Sequence, residues 1–283
     1  MTDRYAVIGN PISHSKSPLI HTMFAEQTGQ HISYEAIEAP LDGFAATIER
    51  LRSEGYKGCN VTVPFKFEAF KCANELTERA QIAQAVNTLS FEGDVIRGDN
   101  TDGAGLVQDI QNNLNFPLQG HDILLLGAGG AAWGVSLPLL ESGANLYNFN
   151  RTPDKAQRLS YALQIFLKRD IYTRKGLQCG LPNFINSYAE LSARKFGLLI
   201  NATSAGLTDS EVPLPPGIFA EGALAYDMMY GRETPFMKFA RSQGATVADG
   251  LGMLVEQAAE AFYIWRGVRP DTAPVIAKLR TPQ

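Results

Sequence analysis

The sequence predicts an α/β protein of two domains, one of them built on a doubly wound parallel sheet. Three observations carry this. At 283 residues the chain exceeds what one core of ordinary size holds. The runs 123–126, 198–200 and 223–226 are continuously apolar, as strands buried on both faces of a parallel sheet are. Helical spacing recurs between such runs, so strands and helices alternate.

Residues 5–9 read as a first strand ending at the turn Asn10-Pro11. Pro18 suits the first position of a helix and Ser17 its N-cap, so a helix is expected through Leu19, Ile20, Met23 and Phe24 to about Gly29. On that reading Ser17 is explained as a cap, whereas Ser15 stands in the loop, free to bind. A strand near 32–37 and a helix near 41–54 follow. Residues 58–63 form a short β-branched strand broken by Pro64, with a helix behind it. Thr62 and Lys66 fall at its carboxyl end, where α/β folds place ligands. Residues 85–89 are a further strand and Glu92-Gly93-Asp94 a hairpin turn. The stretch from Asp99 to Gly103 leads into a helix with Leu106, Val107, Ile110 and Leu114 on one face; taken alone, Asp102 reads as its cap.

The most informative stretch is 123–132. The apolar run enters Gly127-Ala128-Gly129-Gly130-Ala131-Ala132, and Val135, Leu139 and Leu140 follow at helical spacing. Gly127 permits a tight turn, Gly129 lets backbone approach a pyrophosphate, and Ala132 lets the helix pack close to the strand. The first N–H groups of that helix favour phosphate. The ligand-free reading is a plain strand-to-helix turn, and the next strand, 144–149, argues against it. That strand ends at Asn150-Arg151-Thr152, where an NAD site carries an acidic residue, ~20 residues past the glycines. Arg151 stands there instead, with Lys155 four residues on. A guanidinium pairs with a 2′-phosphate that a carboxylate would repel, so the residues favour NADP. Pro138 predicts a kink or break in the helix after the turn. From 159 a helix is expected to about 168, then loop to 188. The last long helix, about 251–266, presents Met253, Leu254, Ala258, Ala261, Phe262 and Trp265 at core spacing. Gln257 shares that face, and a buried amide needs a partner: a polar core group or a polar ligand.

A net charge of −4 argues against a nucleic-acid partner bound through a basic surface, and the cluster Lys168, Arg169, Arg174, Lys175 reads as a solvated face. Cys59, Cys72 and Cys179 lack C-x-x-C spacing, so no metal is expected and the thiols read as small hydrophobes in a reducing cytosol. The N-terminus lacks the apolar length of a signal peptide, and no run reaches the ~20 apolar residues of a membrane span. A cytoplasmic location without a membrane partner is expected.

Taken in order, the motifs resemble those of the shikimate dehydrogenase family, the NADP-dependent enzymes of aromatic amino-acid biosynthesis. They are Gly9-Asn10-Pro11, Ser15-Lys16-Ser17-Pro18, the stretch from Asn60 to Lys66, Ala85-Val86-Asn87-Thr88 and Asp99-Asn100-Thr101-Asp102-Gly103. To these add the glycine turn, Asn150-Arg151-Thr152, Asn201-Ala202-Thr203-Ser204, Tyr226-Asp227-Met228 and Asp249-Gly250-Leu251-Gly252. The resemblance covers nearly the whole chain. It implies a discontinuous α/β substrate domain, residues 1–102 completed by 250–283, and a Rossmann-like NADP-binding domain, 103–249, with the active site in the cleft. It implies reversible reduction of 3-dehydroshikimate to shikimate, with NADPH as hydride donor, on the route to chorismate. By matching motif, Ser15, Ser17, Thr62, Lys66, Asn87, Asp102, Tyr230 and Gln257 hold the substrate, with Lys66 and Asp102 as the catalytic pair. Gly127, Gly129, Gly130 and Ala131 cradle the pyrophosphate. Asn150, Arg151, Thr152 and Lys155 surround the 2′-phosphate, and Met228 and Gly250 lie by the nicotinamide. The chain departs from the family pattern at Trp133, at Lys155, where arginine is common, and in a longer region over 169–186.

The residue chemistry agrees. A polyhydroxylated ring acid needs neutral hydrogen-bond partners, which Ser15, Ser17, Thr62, Asn87 and Gln257 supply. Ketone reduction needs a proton at oxygen as hydride reaches carbon, which a lysine held by a carboxylate delivers. Which of Lys66 and Asp102 carries that proton is open at this level. So are a quinate or amino-shikimate substrate, a histidine mechanism through His14 or His21, a non-catalytic NADP-binding sensor, and the choice between monomer and homodimer.

Overall fold

The computed structural model describes residues 2–171, 179–203 and 213–281. The chain divides into two compact units, Met1–Gly105 with Leu254–Gln283, and Leu106–Met253.

In the first unit, β1 (Asp3–Gly9) is followed by α1 (Ser17–Thr28), β2 (Ile32–Glu38), α2 (Phe44–Ser53) and β3 (Tyr56–Val61). Strand β1 pairs in parallel with β2 on one side and β3 on the other. Beyond β3 the sense of the sheet changes. After α3 (Lys66–Cys72), the short β4 (Glu75–Leu76) and α4 (Glu78–Ala83), the hairpin β5 (Thr88–Glu92) and β6 (Val95–Asp99) adds antiparallel to β3, giving the order β2-β1-β3-β5-β6-β4. Asn60 is opposite Thr88, and Thr88 opposite Asp99. That register brings the carboxyl ends of β1, β3 and β6 and the amino end of β5 to one edge of the sheet. Ile8, Phe44, Ile48, Leu51, Phe65 and Leu89 pack the core beneath it.

The second unit begins within α5 (Asp102–Gln108), which runs into one π turn over Asp109–Asn113. It continues through β7 (Asp122–Leu126), α6 (Gly130–Glu141), β8 (Asn145–Phe149), α7 (Pro153–Ile171), β9 (Pro182–Phe184), α8 (Tyr188–Ser192), β10 (Phe196–Asn201), β11 (Phe219–Asp227), α9 (Pro235–Ser242) and β12 (Thr246–Asp249). Every strand pairing is parallel, in the order β12-β11-β10-β7-β8-β9. This is the doubly wound order expected, with its reversal between β7 and β10. Leu124, Leu126, Leu199, Phe196 and Phe236 anchor its core. The chain ends in α10 (Leu251–Arg266) and α11 (Ala273–Arg280). Val255, Ala258 and Phe262 of α10 and Val275 of α11 pack against Ile20 and Phe24 of α1. No described helix is long and apolar enough to cross a membrane.

Four expectations are corrected. Helix α6 is not broken at Pro138 but runs on to Glu141, since a proline removes one N–H and leaves the bonds of the residues after it in place. Residues 182–184, read as loop, form β9 at the sheet edge, where Pro182 needs no ladder partner on its open side; of that loop, 172–178 lie outside the described residues, as does Ser204. The strand expected over 85–89 begins at Thr88. Ser17 is the first helical residue rather than the cap, and its own N–H donates to the Ser15 hydroxyl at 3.3 Å. Ser15, read as the free member of the pair, is thus the one that holds the helix start.

One close approach fixes how β3 meets α10. A Cβ on Gly58 would overlap the Leu89 carbonyl and lie 2.7 Å from the Trp265 indole nitrogen, which donates to that carbonyl at 3.1 Å. Gly58→Ala should therefore lower stability by about 1–3 kcal/mol, read as a lower urea midpoint. An unchanged midpoint would contradict the packing.

Candidate active site

The sheet register of the first unit assembles a polar cluster at one edge. Gly9 ends β1 and Val61 ends the neighbouring β3. The Thr62 N–H donates to the Ile8 carbonyl at 2.9 Å, and Thr62 Cγ2 lies where a Cβ on Gly9 would come within 2.6 Å. Only glycine leaves that space. Lys66 opens α3 four residues later, while Asn87 precedes β5 and Asp102 follows β6.

At that edge Lys66 Nζ donates to Asp102 Oδ2 at 2.5 Å, with the lysine 30% and the aspartate 13% exposed. Asn87 Nδ2 donates to the other carboxylate oxygen at 2.8 Å. Asp102 begins α5, but its carboxylate goes to Lys66 and Asn87 rather than to a capping bond. The Asn87 amide also reaches Thr101 Oγ1 at 3.0 Å and Gln257 Oε1 at 3.3 Å. Gln257 Nε2 donates to the Leu254 carbonyl of its own helix at 2.7 Å. Of the two partners open to Gln257, the polar core group is Asn87. So Lys66, Asn87, Asp102 and Gln257 form one hydrogen-bonded set. Ser15 and buried Ser17 lie on the segment that follows β1, the strand paired with β3.

Behind this set stands a layer of residues to which the sequence reading gives no role, although Asn60 and Thr88 fall within its motifs. Tyr34 donates to Asn60 Oδ1 at 2.7 Å; the Asn60 amide donates to Thr88 Oγ1 at 3.1 Å; and Thr88 donates to Asn87 Oδ1 at 2.9 Å. Burial pushes the Tyr34 hydroxyl well above the ordinary tyrosine range. The available signal is a polar Asn60 within the buried strand β3, since a buried amide must be paired.

In the second unit, Gly127 adopts φ +105° between β7 and α6, and its N–H donates to the Phe149 carbonyl at 2.9 Å. Gly129 is the α6 N-cap, with no side chain capping the helix and nothing within 4 Å of a notional Cβ. The first N–H groups of α6, at Gly130 and Ala131, are therefore presented through an open approach, which fits a pyrophosphate. Asn148 steadies the turn by donating to the Gly127 and Leu125 carbonyls at 2.6 and 3.1 Å. Past β8, the Asn150 amide donates to the Thr152 carbonyl at 2.9 Å, and Arg151, Thr152 and Lys155 are exposed with no carboxylate at the strand end. That donor set fits a 2′-phosphate. Met228 and Tyr230 follow β11 half-buried, and burial raises the Tyr230 hydroxyl above its ordinary range. The Gly250 N–H donates to the Met229 carbonyl at 2.9 Å, and a Cβ on Gly250 would overlap the Met228 carbonyl.

The histidine alternative fails for His21. It is fully buried, stacked on Tyr34 at 4.1 Å between ring centroids, and near Phe24, Phe262 and Trp265. Neither ring nitrogen has a hydrogen-bond partner. Burial lowers its pKa to about 3, so the ring is neutral near pH 7. Cys59 is buried in the core and its thiol is pushed up by burial, consistent with a small hydrophobe.

Two family models match the chain. One describes the shikimate dehydrogenase substrate binding domain, over residues 7–89, and the other the shikimate 5′-dehydrogenase C-terminal domain, over 250–280. A shikimate dehydrogenase (NADP(+)) of Methylobacillus flagellatus is 59% identical over 280 residues, covering 98% of this chain and 99% of that one. Among solved structures, an Ael1 enzyme from Pseudomonas putida superposes with a TM-score of 0.88 at 48% identity, covering 99% of each chain. The shikimate 5-dehydrogenase of Thermus thermophilus, in complex with NADP(H) and shikimate, does so with a TM-score of 0.83 at 32% identity, again over 99% of each.

The buried His21 makes a prediction independent of catalysis. Unfolded, the ring takes a proton below 6.5; folded, not until about 3. Its contribution to stability is complete above pH 6.5 and is lost as pH falls through that window, at up to about 1.4 kcal/mol per pH unit. His21→Phe should flatten the slope of unfolding free energy against pH in that range, measured by urea titration. An identical slope in both proteins would contradict a neutral buried ring.

Proposed function

Because the chain belongs to the shikimate dehydrogenase family, we propose that its first unit holds the ring acid and that Lys66 and Asp102 act there as the catalytic pair. The protein is an NADP-dependent oxidoreductase that reversibly reduces 3-dehydroshikimate to shikimate, in the pathway to chorismate and the aromatic amino acids. The observation that carries the site assignment is the 2.5 Å contact of Lys66 Nζ with Asp102 Oδ2, with Asn87 on the second oxygen.

Lys66 donates a hydrogen bond to the ketone oxygen, polarises the carbonyl and gives up a proton as negative charge develops there. Asp102 accepts from the same ammonium and fixes its direction. Asn87 holds Asp102, so the carboxylate cannot swing away when substrate enters. Ser15, Ser17, Thr62 and Gln257 supply neutral partners for the carboxylate and hydroxyls of the ring. Tyr230, in the second unit, is assigned to the substrate by its motif. NADPH supplies the hydride when bound. Gly127, Gly129, Gly130 and Ala131 would take its pyrophosphate, Asn150, Arg151, Thr152 and Lys155 its 2′-phosphate, and Met228 and Gly250 would line the nicotinamide. Action in the cytoplasm, without nucleic-acid or membrane partners, belongs to the same proposal and rests on the net charge and the cysteine spacing; a monomer and a homodimer both accord with it.

Lys66→Ala should lower kcat for 3-dehydroshikimate by roughly 10²–10⁴-fold with a much smaller change in KM. Near-normal turnover would overturn the assignment. Arg151→Ala should weaken NADPH by ~1.5 kcal/mol, the lower end for a charge-assisted bond because the group is exposed, and NADH hardly at all. Equal losses in direct binding measurements would show that Arg151 does not read the phosphate.

A further inference from the structure

Arg79 contacts neither Lys66 nor Asp102, yet it joins the two segments that frame them. Its Nε donates to Asp99 Oδ1 at 2.6 Å and its Nη2 to Asp99 Oδ2 at 2.9 Å, a bidentate pair; Nη1 and Nη2 both donate to Glu260 Oε1 at 3.0 Å. Asp99 is buried and ends β6. Its Oδ1 also accepts the Asn100 N–H at 2.6 Å and the Thr77 hydroxyl at 2.7 Å. The Asn100 side chain donates to the Ala85 carbonyl at 3.0 Å and accepts the Asp102 N–H at 3.2 Å. The connection thus runs from the guanidinium to the backbone of Asp102. Glu260 lies one turn of α10 beyond Gln257, whose amide oxygen accepts from Asn87.

We propose that Arg79 is a positioning residue for the reaction. It ties the Asp99–Asp102 loop to the Gln257 turn of α10, so that the Asp102 carboxylate meets Lys66 and Asn87 in one geometry. The inference rests on the assignment of Lys66, Asp102 and Gln257 to the site. Charge alone does not suffice for this work. Two carboxylates from different segments must be bridged in fixed orientation, which a planar fork with several donors does and a lysine point charge does not. Nor would a clamp that served stability alone need to end on the loop carrying Asp102. A displacement of ~1 Å at a reacting group can lower turnover by about 10²-fold.

The test is Arg79→Lys in the full chain, assayed for shikimate oxidation with NADP. The positive charge is retained, so the thermal midpoint should fall by only a few degrees. Turnover should fall by about 10-fold to 100-fold, with KM for NADP within about twofold of the unaltered protein. In an Asp102→Asn background the same substitution should change kcat by less than about twofold, because the contact it serves is already lost. Unimpaired kcat in folded Arg79→Lys, or a full multiplicative loss in the Asp102→Asn background, would overturn the proposal. Should Arg79→Lys fail to fold, Glu260→Gln takes its place: a several-fold fall in kcat with KM for NADP within about twofold supports the proposal, and an unimpaired kcat overturns it. Turnover by the unaltered chain distinguishes the two levels, since its absence would overturn the assigned activity along with this inference.

Discussion

A lysine ammonium held 2.5 Å from a carboxylate, at a site mostly withdrawn from water, is the constraint on which the first unit depends. Removing two charges from solvent is costly, and mutual attraction repays it only when the remaining donors and acceptors are satisfied. The chain meets that condition with side chains from four separate segments. Asn87 satisfies one oxygen of Asp102, Asn100 anchors its backbone, and Gln257 and Thr101 complete Asn87. The mixed sheet explains why these segments meet. An all-parallel sheet would not bring the amino end of one strand beside the carboxyl end of the next; the antiparallel hairpin of β5 and β6 does, and so places Asn87 against Asp102.

The second unit solves a different problem with a simpler device. Its sheet is wholly parallel, and its topological reversal lies between β7 and β10. The glycine turn sits there, close enough to β10 that a Cβ on Gly127 would lie 3.2 Å from the Ala202 carbonyl. The requirement here is an open helix end rather than a packed ion pair: small residues for approach, free N–H groups, and an arginine rather than a carboxylate just past the next strand.

How much is legible in the sequence follows from which constraints are local. The glycine turn, the capless helix start and the arginine in place of an acidic residue are short-range patterns, and each can be read directly. The parallel sheet of the second unit can be read as well, because strands buried on both faces leave unbroken apolar runs. Lys66 and Asp102 can be singled out and paired by motif, but not the geometry of their contact, since 36 residues separate them and the register of β3 against β5 decides it. Asn60 and Thr88 lie in motifs, yet their role escapes notice, as Arg79 does altogether; only the folded sheet shows where their donors point. Ser17 misleads because a serine before a proline satisfies the cap rule whether or not the helix begins one residue earlier. Strand β9 is hidden because three residues beginning with proline carry no periodicity.

The most direct measurement of the whole account is the initial rate of shikimate oxidation by the unaltered chain, followed at the nicotinamide absorbance with NADP and then with NAD. The account predicts rapid turnover with NADP and little with NAD. Equal rates with both would contradict the phosphate reading of the second unit, and no turnover with either would contradict the activity itself.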